Sequence, residues 1–133
     1  MYKLEKVKEI FLVEAQIPYK NDIGKTSKIK LVFDPGAAFS IIDTGHMDYL
    51  GYSAARDMVR KSTLDGAAGE SKGFIIEVPF IVCMKQKLSN FQIACHDMNS
   101  RLGITGLLGM NFIKNFRMDI DYGSGEVFKI SKN

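Results

Sequence analysis

The most informative part of this 133-residue chain is the stretch Leu31-Val32-Phe33-Asp34-Pro35-Gly36-Ala37-Ala38-Phe39-Ser40-Ile41-Ile42. An acidic residue ends one apolar run, a Pro-Gly pair follows, and a second apolar run begins. A carboxylate in such a setting leaves water at a cost unless the fold hydrogen-bonds it or uses it. Two interpretations stay open: a type II β-turn, which Asp, Pro and Gly in this order fit, or a catalytic aspartate displayed where a strand ends.

Composition places the chain among ordinary globular proteins. Hydrophobic residues make up 46% and charged residues 25%, as in a typical globular domain, so we expect one domain over residues 1–133 with a sizeable core. The formal net charge of +3 is too small to indicate a nucleic-acid partner. The N-terminus lacks the apolar stretch of a signal peptide and no run approaches membrane-spanning length, so we expect a cytoplasmic protein with no membrane partner.

The two cysteines, Cys83 and Cys95, lie in apolar, strand-like segments on either side of a turn predicted at residues 87–90. A disulfide across this hairpin is geometrically conceivable, but two buried thiols are the better expectation for a chain without an export signal. His46 and His96 are the only histidines and there is no Cys-x-x-Cys, so neither a metal site nor a cofactor is predicted.

The first third of the chain shows the alternation of strands. The period-2 pattern of a strand appears in residues 11–17, where Phe11, Val13, Ala15 and Ile17 alternate with Leu12, Glu14 and Gln16. It appears again in residues 29–33, after a turn cluster at residues 21–24, which predicts a hairpin. Residues 39–42 predict a short strand. Asp43 or Thr44 can cap a helix of about two turns that ends near Gly51, and residues 53–57 form a further turn.

A long hairpin is predicted next. Residues 58–64 lead into Asp65-Gly66-Ala67-Ala68-Gly69, a tip too rich in Gly and Ala to hold one rigid conformation, and residues 71–84 return as an apolar strand. Pro79 interrupts that strand, which indicates an edge or a bend. The remaining predicted elements are strands at 91–95, 107–109, 117–120 and 127–130, a turn at 122–125, and a short helix that Asn111 caps and that runs through residue 115. The prediction is an all-β fold with one or two short helices.

Several familiar catalytic motifs fail on their spacing. Gly24-Lys25-Thr26 lacks the first glycine of a phosphate loop, because Tyr19 stands there. Gly103, Gly106 and Gly109 recur every third residue, which is the wrong spacing for a dinucleotide fingerprint. No Gly-x-Ser-x-Gly is present, and a hairpin turn explains Asp121-Tyr122-Gly123.

Three features, in order, resemble the retropepsin-like aspartic proteases. That family has an apolar strand followed by Asp-Thr/Ser-Gly-Ala-x-x-Ser/Thr, and this chain has Asp34-Pro35-Gly36-Ala37-Ala38-Phe39-Ser40. A flap hairpin follows in the family, and residues 65–71 resemble its tip. Two apolar residues and a glycine come next, often running into Gly-Met-Asp-Phe-Leu; here the segment reads Leu107-Leu108-Gly109-Met110-Asn111-Phe112-Ile113. The order and spacing match over about residues 7–130.

The resemblance implies an acid protease barrel and an aspartic endopeptidase acting on peptides or proteins. In this chemistry two carboxylates share one proton. The ionised one takes a proton from the attacking water, and the protonated one polarises the scissile carbonyl. One motif per chain implies a homodimer that pairs Asp34 with its copy on the two-fold axis, with terminal strands at residues 6–10 and 127–130 as interface material.

The resemblance also assigns roles to the residues around the aspartate. The active-site loop comprises Pro35, Gly36, Ala37 and Ser40. The substrate-covering flap tip comprises Gly66, Ala67, Ala68 and Gly69, and the loop is supported by Leu107, Leu108 and Gly109. Pro35 departs from the family, which has Thr or Ser there, because proline brings neither a hydroxyl nor an N–H to lock two loops together. A retropepsin-fold dimer that binds peptide or a protein partner and cuts it poorly or not at all is therefore the alternative function.

Overall fold

Strands make up most of the chain. The computed structural model describes residues 1–66, 69–98 and 103–133. The strands are β1 (Tyr2–Lys3), β2 (Glu5–Val7), β3 (Ile10–Tyr19), β4 (Asp22–Phe33), β5 (Ile41–Asp43), β6 (Arg60–Gly66), β7 (Gly69–Cys83), β8 (Gln86–His96), β9 (Ile104–Leu108), β10 (Phe116–Asp121) and β11 (Glu126–Lys132). The helices are α1 (Thr44–Tyr49), α2 (Ala54–Asp57) and α3 (Met110–Ile113). The predicted mostly-β fold is confirmed, and the described residues form three short helices where one or two were predicted.

Eight of these strands form one sheet, in the order β2-β3-β4-β9-β5-β8-β7-β6. An additional pairing of β3 with β7, at Ala15–Cys83 and Gln16–Val82, joins distant parts of the sheet. Most neighbours are antiparallel, but β9 runs parallel to β4 and β5 runs parallel to β8. The parallel pairing of β9 with β4 and its antiparallel pairing with β5 bring the end of β4, the end of β9 and the start of β5 together, and the Asp34 segment leaves the sheet there.

The predicted first hairpin is present because its alternation suits a sheet with one buried face. Val13, Ala15 and Ile17 are buried while Glu14 is exposed, and β3 pairs with β4 along its length. The core continues through both sheets and includes the fully buried Leu31, Ile42, Ile76, Ile93, Leu108 and Phe112, together with Leu4 and Val127 from the chain ends.

Helix α1 begins where the sequence places its cap. The Asp43 side chain accepts a hydrogen bond from the His46 backbone N–H at 3.3 Å, and Gly51 follows the helix with a φ of +99°. This is the N-cap and glycine arrangement expected for a short helix. Residues 54–57 form α2 as a separate turn. No helix in residues 1–66, 69–98 and 103–133 has the length and hydrophobicity needed to cross a bilayer.

The turn of the β7–β8 hairpin is not at residues 87–90 as predicted. It lies at Met84 and Lys85, which have φ values of 50° and 61°, and β8 already begins at Gln86. Two consecutive positive φ values fit the tight twist of a two-residue hairpin, yet neither residue is the Gly or Asn that usually signals it. Pro79 does mark an irregularity, because it stands opposite Asn90 (φ 52°) between the ladder pairs Val78–Phe91 and Phe80–Ser89.

Both cysteines are free and buried, so the expectation of two buried thiols is confirmed. Cys83 pairs with Gln86 beside the turn, whereas Cys95 pairs with Phe74 at the other end of the ladder. A disulfide across the hairpin is excluded, because this register separates the two residues by roughly 30 Å of strand. Burial raises the pKa of each thiol to about 12.

A smaller three-stranded sheet, in the order β1-β11-β10, gathers the two ends of the chain. The prediction that residues 127–130 are an exposed edge is only partly right. β11 is the central strand, with β10 along one side and β1 pairing at Val127 and Glu126 on the other. Beyond Val127, β11 pairs only with β10 among the described strands. Residues 5–7 form the outer strand β2 of the larger sheet.

Candidate active site

Asp34 lies directly after the end of β4, where β9 runs beside it. Phe33 pairs with Leu108 in the parallel ladder, and the Asp34 backbone N–H donates to the Leu108 carbonyl at 3.0 Å. Leu108 is fully buried, whereas Asp34 is half-buried and Pro35 and Gly36 are exposed. The core therefore fixes the backbone of the aspartate while its side chain stays accessible.

The residues after Asp34 form a tight turn, but not the type II turn that the sequence suggests. The Ala37 N–H donates to the Asp34 carbonyl at 3.1 Å, and the Gly36 N–H donates to Asp34 Oδ1 at 3.0 Å. A type II turn needs a positive φ at its third residue, and Gly36 has none. Proline at the second position pre-sets the turn, and the Gly36 amide orients one carboxylate oxygen.

The same local geometry occurs at Asp121. There the Gly123 N–H donates to Asp121 Oδ1 at 2.8 Å, in the hairpin turn between β10 and β11. The Asp-x-Gly turn by itself is thus a structural motif that polar side chains commonly make. The Asp34 turn differs because it is tied to β9 and borders a groove.

A buried network under the Asp34 turn joins it to the loop after β9. The Ser40 hydroxyl accepts from the Gly109 N–H at 2.9 Å and donates to Asn111 Oδ1 at 2.7 Å, and the Ser40 N–H donates to the same oxygen at 2.8 Å. The Asn111 amide in turn donates to the Gln92 carbonyl at 2.9 Å. Since Ser40 is only 1% exposed, its hydroxyl and N–H are satisfied by these bonds where water does not reach.

Asn111 therefore has a different place from the one predicted. The N-cap of α3 is Gly109, so Asn111 lies inside the helix and its side chain points back to Ser40. Sequence reasoning recognised Ser40 and Asn111 separately. It missed their contact, because they are 71 positions apart in the chain.

The glycines at positions 106 and 109 allow backbones to meet. A Cβ on Gly106 would lie 2.0 Å from the Ile41 carbonyl oxygen, and one on Gly109 would lie 2.6 Å from the Phe39 carbonyl carbon. Neither position has a positive φ, whereas Gly103, with a φ of 71°, does. Gly109 thus lies against the loop that follows Asp34, through close approach to Phe39 and through the hydrogen bond that its N–H donates to the Ser40 hydroxyl.

An apolar groove of about 360 Å³ lies between the Asp34 loop and the β6–β7 hairpin. One wall comes from the loop and β5, and the other from the hairpin and β8. The lining residues are Ala37, Ala38, Phe39, Ile41, Ser62, Thr63, Leu64, Ile75 and Ala94. Leu107 packs at the same cluster, while its neighbour Leu108 faces the main core.

The hairpin beside this groove matches the predicted long hairpin. β6 and β7 pair from Arg60–Ile75 to Gly66–Gly69, the last pair before the tip. The other two residues of the predicted tip, Ala67 and Ala68, lie outside the described residues. The prediction therefore places the hairpin correctly as an element.

Arg60, at the start of β6, links the hairpin to the loop. Its guanidinium lies 5.9 Å from the centre of the Phe39 ring and donates to the Gln92 side chain at 3.1 Å. Because the Gln92 carbonyl accepts from Asn111, the hairpin base, the loop and α3 share one chain of contacts. Sequence reasoning did not find Arg60 or Gln92, which carry no motif. Among the described residues, no group of three His, Cys, Asp or Glu side chains is arranged to hold a metal ion.

Comparisons with known proteins identify a family and a fold. A family model described as aspartyl protease matches residues 17–112, a span that contains the Asp34 turn, the hairpin and the Gly109 loop. A comparison with curated proteins gives no match.

Two solved structures show the same fold. A retropepsin-like aspartic protease from Rickettsia conorii is 24% identical, covers 90% of each chain and has a TM-score of 0.65. EIAV protease complexed with the inhibitor HBY-793 is 21% identical, covers 86% of this chain and 91% of that chain, and has a TM-score of 0.53. With the family match over most of its length, the chain belongs to the aspartyl protease family and has a retropepsin-like fold.

Proposed function

We propose that this chain is an aspartic endopeptidase that acts as a homodimer, with residues 1–133 as one domain and Asp34 of each subunit in a shared site. The observation that carries the proposal is the placement of Asp34. Its backbone is bonded to buried β9, its carboxylate is oriented by the Gly36 amide, and an apolar groove lies beside it. Because the chain belongs to the aspartyl protease family, an aspartate in this place is proposed as the catalytic one.

The proposed reaction is hydrolysis of a peptide bond without a covalent intermediate. Two Asp34 carboxylates a few ångströms apart cannot both be ionised, so they share one proton. The ionised member removes a proton from water as its oxygen bonds to the scissile carbonyl carbon, and the protonated member gives its proton to the carbonyl oxygen. The C–N bond then breaks as the nitrogen takes a proton from the dyad and one hydroxyl of the diol returns a proton to it, so the products are a carboxylic acid and an amine and the dyad again shares one proton.

The homodimer is needed because one chain offers one such aspartate. A two-fold axis through the exposed Pro35–Gly36 turn would bring two copies of Asp34 together. Two strand edges support an assembly of this kind: the outer side of β2, and the part of β11 beyond Val127 that pairs only with β10 among the described strands. Unpaired edges readily take up a second chain.

The proposed substrate is an extended peptide or protein segment. The groove is walled on one side by a two-stranded hairpin, so a peptide there would gain backbone hydrogen bonds and apolar contacts. In this proposal the β6–β7 hairpin, with Gly66, Ala67, Ala68 and Gly69 at its tip, is the flap that closes over the substrate.

The test compares Asp34→Asn with Asp121→Asn. Both aspartates accept from a glycine N–H two residues on, so both substitutions perturb the same local turn. Digestion of a peptide library across pH should be abolished by Asp34→Asn and retained by Asp121→Asn. Equal cleavage by wild type and Asp34→Asn would remove Asp34 as the catalyst.

Mixing subunits tests the shared site. When wild-type and Asp34→Asn chains are refolded together in equal amounts, activity should fall to about one quarter, because only dimers with two wild-type chains retain both carboxylates. Activity near one half would mean that each chain works alone. Sedimentation that shows only monomer at all concentrations would also contradict the shared-proton mechanism.

The second candidate function is a dimer that binds peptide or a protein partner and cuts it poorly. Pro35 favours it, because proline supplies neither the hydroxyl nor the N–H that Thr or Ser would bring to the turn. In Pro35→Thr, we expect higher activity or a lower dimer dissociation constant, while a change in neither would mean that the missing donors do not matter. A wild type that binds peptides without cutting them, and a Pro35→Thr variant that cuts, would favour the binding function.

A further inference from the structure

His96 occupies a special place at the base of the β6–β7 hairpin. It is the last residue of β8 and is only 1% exposed. The β7–β8 ladder ends at the pair Phe74–Cys95, while β6 and β7 continue to pair as far as Gly66–Gly69. The imidazole therefore lies where the hairpin leaves the rest of the sheet.

The two ring nitrogens of His96 contact both strands of the hairpin. Nε2 lies 2.9 Å from the Ser62 hydroxyl on β6, and Nδ1 lies 3.0 Å from the Ser71 hydroxyl on β7. A neutral imidazole donates from one nitrogen and accepts at the other, and a hydroxyl can do either. Both nitrogens of a buried ring are thus satisfied, and the ring bridges the two strands.

Gly73 provides the space for this ring. A Cβ at Gly73 would lie 2.8 Å from His96 Cε1 and Nδ1, and 2.1 Å from the Cys95 carbonyl oxygen. Gly73 also pairs with Ser62. The absence of a side chain at Gly73 therefore leaves room for the imidazole beside Ser62, which bonds it.

The bridge lies on the groove side of the hairpin. Ser62 lines the groove together with Leu64, and Leu64 pairs with Ser71. Residues paired directly across an antiparallel ladder share a face, so Ser62, Leu64, Gly73 and Ser71 present the same face of the hairpin. Any tilt of the hairpin away from the groove would stretch the contacts of His96.

We propose that His96 is a positioning residue that fixes the base of the hairpin over the groove through Ser62 and Ser71. The role of the hairpin as a flap rests on the proposed protease function. The contact of His96 with Ser62 and Ser71, here called the clamp, does not depend on that function. Within the described part of the chain, the ring of His96 is hydrogen-bonded to Ser62 and Ser71 of the hairpin and not to Asp34, so it acts on substrate through the hairpin.

His46, the other histidine of the chain, lacks the two-strand contact of His96. It lies in α1, is half-buried, and approaches one hydroxyl, that of Ser27, at 3.4 Å. It bridges no pair of strands among the described elements. His46→Leu is therefore the matched control for His96→Leu.

The first test is amide hydrogen exchange in the free protein, which needs no enzymatic activity. In His96→Leu, exchange of β6 and the paired part of β7 should become about ten-fold faster, while β10 and β11 keep their wild-type rates. His96→Gln, which restores one donor and one acceptor, should recover part of the protection. His46→Leu should leave the hairpin unchanged. Wild-type exchange in the hairpin of a folded His96→Leu variant would overturn the proposal.

Ser62→Ala and Ser71→Ala keep the test decisive if His96→Leu does not fold. Each removes one bond to the ring, so each should speed exchange in the hairpin by a smaller factor. If neither does so, the clamp is refuted.

The second test separates positioning from simple stability. For an extended peptide, the His96 variants should raise KM about five-fold with a smaller change in kcat, because a loosened flap weakens substrate binding before it alters the dyad. If the protein cuts no peptide, the dissociation constant of a bound peptide replaces KM. Peptide cleavage thus tests the protease function, and hydrogen exchange in the free protein tests the clamp. A fall in kcat at unchanged KM would contradict a role in positioning the flap.

Discussion

At the scale of single residues, the site depends on one amide side chain that the sequence offered as a helix cap. Asn111 accepts from both the N–H and the hydroxyl of buried Ser40 and donates to the Gln92 carbonyl. Removing one member of such a network leaves the others buried without partners, which costs more than the bonds themselves contribute.

We therefore expect Asn111→Ala to lower the free energy of unfolding by about 2 kcal/mol, measured by urea denaturation. Asn111→Asp is the matched comparison, since it keeps the acceptor for the buried Ser40 and loses only the donor to the Gln92 carbonyl. It should cost less than half as much. An Ala variant as stable as wild type would show that Ser40 finds another acceptor.

Among the secondary-structure elements, those set by neighbouring residues were predictable from the sequence. Alternation in residues 11–17 and 29–33 predicted the β3–β4 hairpin, and Asp43 with Gly51 predicted α1. The pairing of β9 with both β4 and β5 was not predictable, because it joins segments far apart in sequence. Its only trace is Gly106, whose missing side chain lets β9 approach Ile41. Two of the three glycines rejected as a nucleotide motif, Gly106 and Gly109, are thus explained by contacts that one sequence does not reveal, and the third, Gly103, by its positive φ.

The misplaced β7–β8 turn has a physical cause of the same kind. Met84 and Lys85 adopt positive φ values without being Gly, Asn or Asp, so the turn carries no residue signal. The flanking strands, β7 and β8, impose the conformation through their long ladder. Residues other than glycine hold such a conformation at an energetic cost.

Lys85→Gly should therefore stabilise the protein. The Lys85 side chain is exposed, so little contact is lost, and glycine adopts a φ of 61° without strain. We expect the free energy of unfolding to rise by about 0.5–1 kcal/mol. Lys28→Gly, at an exposed position inside β4, should lower it by a similar amount. Destabilisation in both variants would mean that the turn is not strained.

At the scale of the whole molecule, the two thiols report on global unfolding. Cys83 and Cys95 are 1% and 0% exposed, and burial raises the pKa of each to about 12. A thiol that is neither ionised nor accessible reacts slowly. At pH 8 we expect neither to react with a disulfide reagent in the native protein, and both to react in 6 M denaturant. Rapid labelling of either one in the native state would contradict the described packing of β7 and β8.

Stability should also depend on pH through the two histidines. Burial lowers the pKa of His96 and of His46, with Asp97 and Asp43 respectively opposing the shift. In the unfolded chain both titrate near 6.5, so the unfolded state binds more protons as pH falls through that value. Stability is therefore fully present above about pH 7 and declines in acid.

Asp57 acts in a lower pH range. Burial works to raise its pKa, but hydrogen bonds from Lys20 and the Ser53 N–H hold that pKa below its ordinary value, so its contribution is lost only below about pH 4. Between pH 5 and 7.5 the histidines should dominate. This limits the pH range in which the proposed enzyme would work. A dyad that shares one proton favours mild acid, whereas the clamp at the hairpin base favours a neutral His96.

Urea denaturation from pH 5 to 8 checks this expectation. Wild-type stability should fall as pH drops below 7, and His96→Gln should show a flatter profile, because its side chain does not titrate. The double variant with His46→Gln should be flatter still, while either single variant keeps part of the slope. Hydrogen exchange in wild type should locate the change, with β6 and the paired part of β7 losing protection in acid before β3 and β4. A His96→Gln profile as steep as wild type would mean that other groups carry the acid sensitivity.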